Sequence, residues 1–284
     1  MTFKDYDDQD QLKTVQRVST KILAELDRVC RKLEIPYVIY AGTAIGAVRH
    51  GGFIPWDDDV DIAMPRHAYE RFLAEAPGVM SDHYLINNTY TAPGFPSTCS
   101  HFGLKGTLFI PEFYRNATYR TPMSIDVFPF DNVSDDEKKF AAQIRRTWIW
   151  GRLKFIRATP TPYLSFGGPK ALLVHSACFA AHWGMRLLRM SPEFIQRKWE
   201  GAARAYEHET TERMTDFTDR FPRSWAVTHD DLFPAIDVPF EDIVVKLPRN
   251  YDSILTSGYG DYMQLPPVHE RKNHRPCLVD TGEH

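Results

Sequence analysis

Between residues 11 and 34, Leu12, Val15, Val18, Ile22, Leu26, Val29 and Leu33 recur every three or four positions. That spacing lines one face of a helix, and Pro36 closes it. Tyr37 to Ala41 is short and apolar, which predicts a strand. Gly42-Thr43 opens a short helix through His50, and Gly51-Gly52 ends it. After a loop holding Pro55 and Trp56, residues 59–64 alternate acid and apolar side chains, the pattern of a strand with one polar face. Pro65 stands at a helix start, with Tyr69, Phe72 and Leu73 as its buried side. Residues 84–87, 101–110 and 124–128 read as further strands.

The pattern then lengthens to helical period. Ser134 to Glu137 spells a capping box before a helix reaching about Ala158. Proline and glycine break the chain over 159–169, and two more helices are expected near 170–190 and 192–212, the second opened by Ser191-Pro192. Residues 171–190 are the most apolar stretch, interrupted by His175, His182 and Arg186, and read as a core helix rather than one lying on a bilayer. Residues 243–247 form a late strand, and residues 250–257 a late helix ended by Gly258. The sum is an α/β (α+β) chain read as one domain over 1–284. A small mixed sheet with flanking helices is expected over about 35–130, rejoined by 240–280, with a helical insert over about 134–212.

Composition adds limits. The 284 residues carry a net charge of −3, which gives no overall pull toward nucleic acid. The four cysteines, Cys30, Cys99, Cys178 and Cys277, form no CxxC pair and fit a reducing cytoplasm. No basic segment followed by an apolar one opens the chain, and no stretch reaches membrane-spanning length.

The chemistry concentrates in IPWDDDVDIAM. Asp59 and Asp61, two apart on a strand, share a face, while Val60 and Ile62 point into the core. Carboxylates crowded there, with Asp57 and Asp58 beside them, need a cation or a retained proton. Oxygen ligands at this spacing suit Mg²⁺ or Mn²⁺. A solvated charge run is the bland alternative, and the flanking apolar residues argue against it. An EF-hand loop fails, because its required Gly and Glu positions hold Ile62 and Ala68. Gly42-Thr43 at a helix start offers backbone N–H groups to a phosphate. Asp126, between Ile125 and Val127, supplies a third carboxylate.

Three blocks in this order, GTAIGAVRHGGFIPWDDDVDIAM, SIDVFPFD and GYGDYMQLPPVHERKNH, resemble the LicD family of phosphotransferases. The resemblance runs from about 15 to about 280 and is weakest over 134–230. It implies a nucleotidyltransferase-like fold in which Asp59, Asp61 and Asp126 are catalytic and hold Mg²⁺ (or Mn²⁺), with Gly42 and Thr43 at the phosphate. It also implies transfer of phosphocholine from CDP-choline, or of a polyol phosphate from a CDP-polyol, to a hydroxyl of a glycan such as lipopolysaccharide, capsule or teichoic acid. If that acceptor is lipid-linked, a peripheral contact at the inner membrane face follows. Arg49, Lys105 and Arg271 are candidate phosphate partners, and Tyr262 a pocket residue or a core tyrosine. The cluster His269, Glu270, Arg271, Lys272, His274 and Arg275 could meet donor or acceptor, whereas His269, His274 and Cys277 make a poor zinc site. Trp148, Trp150, Trp183 and Trp199 are expected in the core before any choline cage. A metal-dependent glycosyltransferase and a non-catalytic nucleotide-binding homologue are the rival readings.

Overall fold

The computed structural model describes residues 2–3, 6, 9–274 and 276–282. The chain begins with a strand, β1 (Thr2–Phe3), and a long helix, α1 (Gln9–Leu33), and continues through β2 (Val38–Ile39), α2 (Ala41–His50), β3 (Asp61–Pro65) and α3 (Arg66–Glu75). Next come β4 (Tyr84–Asn87), β5 (Ser100–Leu104), β6 (Leu108–Pro111) and β7 (Ser124–Asn132). Three helices follow, α4 (Glu137–Ala158), α5 (Gly168–Leu187) and α6 (Pro192–Ala203). Beyond them lie β8 (Arg213–Asp216), β9 (Val227–Thr228), α7 (His229–Leu232), β10 (Ile236–Phe240), β11 (Ile243–Leu247), α8 (Tyr251–Tyr259) and β12 (Pro276–Asp280).

This is a mixed α/β architecture built on one curled sheet in the order β2-β3-β7-β5-β4, with β8 on the end of β7 and β9 on β8. β3 and β7 run parallel, and the register sets Asp61 beside Asp126. The face of α1 predicted from its periodicity is buried at Val15, Val18, Ile22, Leu26 and Val29, packed with Ile62, Met64, Phe102, Ile125 and Val127 of the sheet. Burying each such side chain stabilises by roughly 1.5–3 kcal/mol, so α1 is the main cover of the sheet's apolar side. Val60 and Ile62, 1% and 0% exposed, take the inward positions that alternation assigned them.

Several expectations change. The strand expected over 101–110 is two, β5 and β6, turned at Gly106 with φ +75°. α4 is capped by Asp136, whose side chain accepts from the N–H of Lys138 and Lys139, not by Ser134. Gly258 lies inside α8 and Gly260 follows it. A Cβ on Gly258 would come within 2.5 Å of the Trp225 ring, so this glycine serves packing rather than a stop. The strand at 243–247 does not rejoin the central sheet. It pairs with β10 in a separate hairpin, and β8 is the segment that returns beside β7. The core-helix reading of 171–190 is overturned as well: α5 buries only Ala171, His182 and Met185.

Candidate functional site

The acidic loop follows α2 in sequence and folds back against the first turn of that helix. Thr43 Oγ1 accepts the N–H of Asp61 at 2.9 Å, which fixes the start of β3 against α2. Among the described residues no acceptor takes its hydroxyl proton. Tyr40 precedes α2 and no side chain caps the helix, while Ala41 holds a strained φ of +47°. A Cβ on Gly42 would lie 3.0 Å from Asp57 Oδ2, so glycine here lets that carboxylate reach the helix start.

Asp57, Asp59, Asp61 and Asp126 act on one another electrostatically. Burial first, then the charge of Asp59, holds the Asp57 carboxyl well above its ordinary value. Burial followed by Asp59, Asp126 and Asp57 does the same to Asp61. Asp126 is also raised by burial, although His101, with Nε2 at 3.2 Å, opposes this. A set in which the charge of Asp59 destabilises the carboxylates of Asp57, Asp61 and Asp126 suits a hard divalent cation. Two trios have ligand atoms all within 4.8 Å of one another: Asp58, Asp59 and His274, and Cys99, His101 and Asp126. Asp61 belongs to neither trio and stands beside Asp126 at the start of the parallel pair.

Asp58 is different in kind. Its side chain is fully buried and accepts from Tyr6 Oη at 2.8 Å and from the backbone N–H of His274 at 3.0 Å. His274 Nδ1 lies 3.0 Å from Asp58 and 3.6 Å from Asp59. Burial opposes charge on this imidazole, but Asp59 and Asp58 together push it up to about 10, so it carries a cation among the acids. The alternation that pointed Val60 and Ile62 inward also points Asp58 inward, so its burial was readable from the sequence. Nothing in the sequence marked His101, which joins the site only because β5 pairs with β7 opposite Asp126.

Asp126 lines two cavities. One, of about 90 Å³, is shared with Asp58, Asp59, His101, Phe113 and His274. The other, of about 290 Å³, opens toward α4, with Trp148, Arg152, Trp199 and Arg220 in its wall. Of the four tryptophans expected in the core, Trp199 is core at 1% exposure, Trp148 and Trp183 are exposed, and Arg152 covers the Trp148 ring at 5.6 Å.

The remaining candidates separate. Arg49 donates to the carbonyls of Tyr262 and Gln264, and both burial and the nearby charge of Arg271 depress its basicity. Arg271 lies over the Trp56 ring at 4.5 Å, directly before Asp57 in sequence. The two guanidiniums therefore gather beside the acidic loop. Lys105 does not join them: its ammonium bonds the Asp82 carbonyl in the turn beyond β5. Tyr262 is the core tyrosine, its hydroxyl donating to Asp252 at 2.6 Å. Its neighbour in the tail block, His269, is exposed and apart from His274, and Arg275 lies outside the described residues.

Residues 34–171 match the family profile described as LicD/FKTN/FKRP, nucleotidyltransferase domain. This segment carries the LicD family's domain. The chain is 26% identical over 277 residues to the lipopolysaccharide cholinephosphotransferase LicD of Haemophilus influenzae, covering 93% of this chain and 95% of that relative. The profile ends inside α5, while the likeness to the Haemophilus relative covers 93% of the chain.

Proposed function

We propose that this chain is a LicD-family transferase of phosphorus-containing groups that moves phosphocholine from CDP-choline to a hydroxyl of a lipopolysaccharide-type glycan, using Mg²⁺ or Mn²⁺. The observation that carries the reading is the parallel pairing of Asp61 with Asp126, with Asp57 and Asp59 beside them at the uncapped start of α2. The named activity of the Haemophilus relative supports the transferred group.

Asp59, Asp61 and Asp126 would hold the cation, which when bound supplies charge to offset that developing on the diphosphate. The free N–H groups of α2 and the Thr43 hydroxyl receive a phosphate oxygen. Arg271, over the Trp56 ring, and Arg49 near it hold the donor's other phosphate charge. The acceptor hydroxyl attacks the choline-bearing phosphorus, the bond to the bridging oxygen breaks, and CMP leaves. Asp126, reachable from both cavities and backed by His101, takes the hydroxyl proton.

The test is nucleotide release by the purified protein across CDP-choline, CDP-ribitol, CDP-glycerol and UDP-sugars, with a glycan acceptor present. CMP from CDP-choline is expected. Loss of a group behind a metal ligand costs about 10–100-fold, so Asp59→Asn or Asp61→Asn should lower transfer by at least that much. Transfer unchanged in both variants would remove the metal role, and UDP release would make the protein a glycosyltransferase.

A further inference from the structure

α5 is built inside out. Its inward face carries His175 and His182, whose rings bond the carbonyls of Pro162 and Ile156 at 2.8 and 3.1 Å. Its outward face is apolar: Leu172, Leu173 and Leu187 are 69%, 71% and 86% exposed, and Phe179 and Trp183 about half exposed. A water-facing helix normally shows the reverse arrangement, and a contiguous exposed apolar face of this kind marks an interaction surface. Among the described residues no helix is long and apolar enough to cross a membrane.

Charge identifies the occupant. Residues 138–192 hold ten Lys or Arg side chains and no Asp or Glu, in a chain whose net charge is −3. Cations stand over the exposed aromatics: Lys170 over Phe166 at 5.1 Å and Arg186 over Trp183 at 5.2 Å. Behind the helix, a cavity of about 420 Å³ has Lys154, Arg157, His182 and Arg186 as its ionisable lining, all of them basic. Apolar side chains outward, aromatics at the boundary and long cations beside them are what an interfacial helix needs on an anionic bilayer. A second copy of the chain fits poorly, because a two-fold interface on this face would set two cationic zones against each other.

We propose that α5, with the basic surface around it, docks flat on an anionic lipid surface and holds the protein there. This does not depend on which group the site transfers.

The experiment is flotation of the full chain with phosphatidylcholine vesicles, and with vesicles of phosphatidylcholine and phosphatidylglycerol in equal parts, at low and high salt. Binding is expected only to the anionic vesicles, weakening as salt rises. F179S/W183S/L187S and, separately, K170E/R186E should each reduce the bound fraction about tenfold. These side chains are on the surface, so both variants should keep the melting temperature and the CMP release of the parent with a water-soluble acceptor. Equal binding to both vesicle types, or anionic binding untouched by both variants, would overturn the proposal. So would absence of vesicle binding together with a dimer, seen by sedimentation, that F179S/W183S/L187S dissociates.

Discussion

Asp58 and Asp59 are neighbours in sequence with opposite tasks. Asp59 is a third exposed and faces the cavity, while Asp58 is sealed and serves as the anchor of the segment around His274. Asp58→Ala removes the acceptor of Tyr6 and of two His274 donors, and a buried donor left without a partner costs about 1–3 kcal/mol. The expected result is a lower melting temperature and a higher KM for the donor, read by thermal denaturation and steady-state kinetics. Lys154 gives a pH-dependent case. It is 0% exposed, and burial pushes its ammonium down to about 8. Between that value and the ordinary ~10.4, the unfolded chain binds the proton more than the folded one, so this group's contribution to stability improves as pH rises through that window. Below about 8 the cost is complete. Thr89 and Gln196 bond each other as well as the lysine, so Lys154→Met leaves them satisfied. The variant should be more stable than the parent near neutral pH by about 2–3 kcal/mol, with the advantage fading above pH ~10 in paired denaturant titrations.

At the scale of elements, α2 shows how propensity can point the wrong way. Gly→Ala inside a helix ordinarily stabilises by about 1 kcal/mol. A Cβ on Gly46, however, would meet the Gly52 carbonyl oxygen at 2.4 Å, and that atom is backbone and cannot swing aside. Overpacking of this kind costs about 1–3 kcal/mol, so Gly46→Ala should destabilise. An increase in melting temperature would contradict the close packing of the 51–53 loop on α2. The sequence made α1 and β3 legible through their periodic apolar faces, α2 through the glycines at its ends and β7 through the apolar residues around Asp126, and with them the candidate carboxylates Asp59, Asp61 and Asp126. It did not make the pairing partners legible. β8, rather than β11, returns beside β7, and that choice is decided by long-range packing. α5 was misread for a related reason: a rich apolar count describes a core helix and a surface-docking helix equally, and only the inward hydrogen bonds of its two histidines tell them apart.

For the whole molecule, the acid cluster is a store of repulsion that a cation would release. Anything that binds the folded form alone stabilises it by mass action, by about 2.7 kcal/mol at a concentration a hundred times the dissociation constant. Mg²⁺ or Mn²⁺ should raise the melting temperature, a chelator should reverse the rise, and Asp59→Asn/Asp61→Asn should abolish it. A rise equal in parent and variant would mean that the ion binds elsewhere.

Asp58 and its partner His274 lie 216 residues apart. A ribosome adding about 5–20 residues per second needs roughly 10–40 seconds to cover that distance. A nascent chain therefore carries its acid loop for that time before the imidazole that bonds it has been made. The pocket that Asp58 and His274 share is therefore closed well after its acidic loop has been translated.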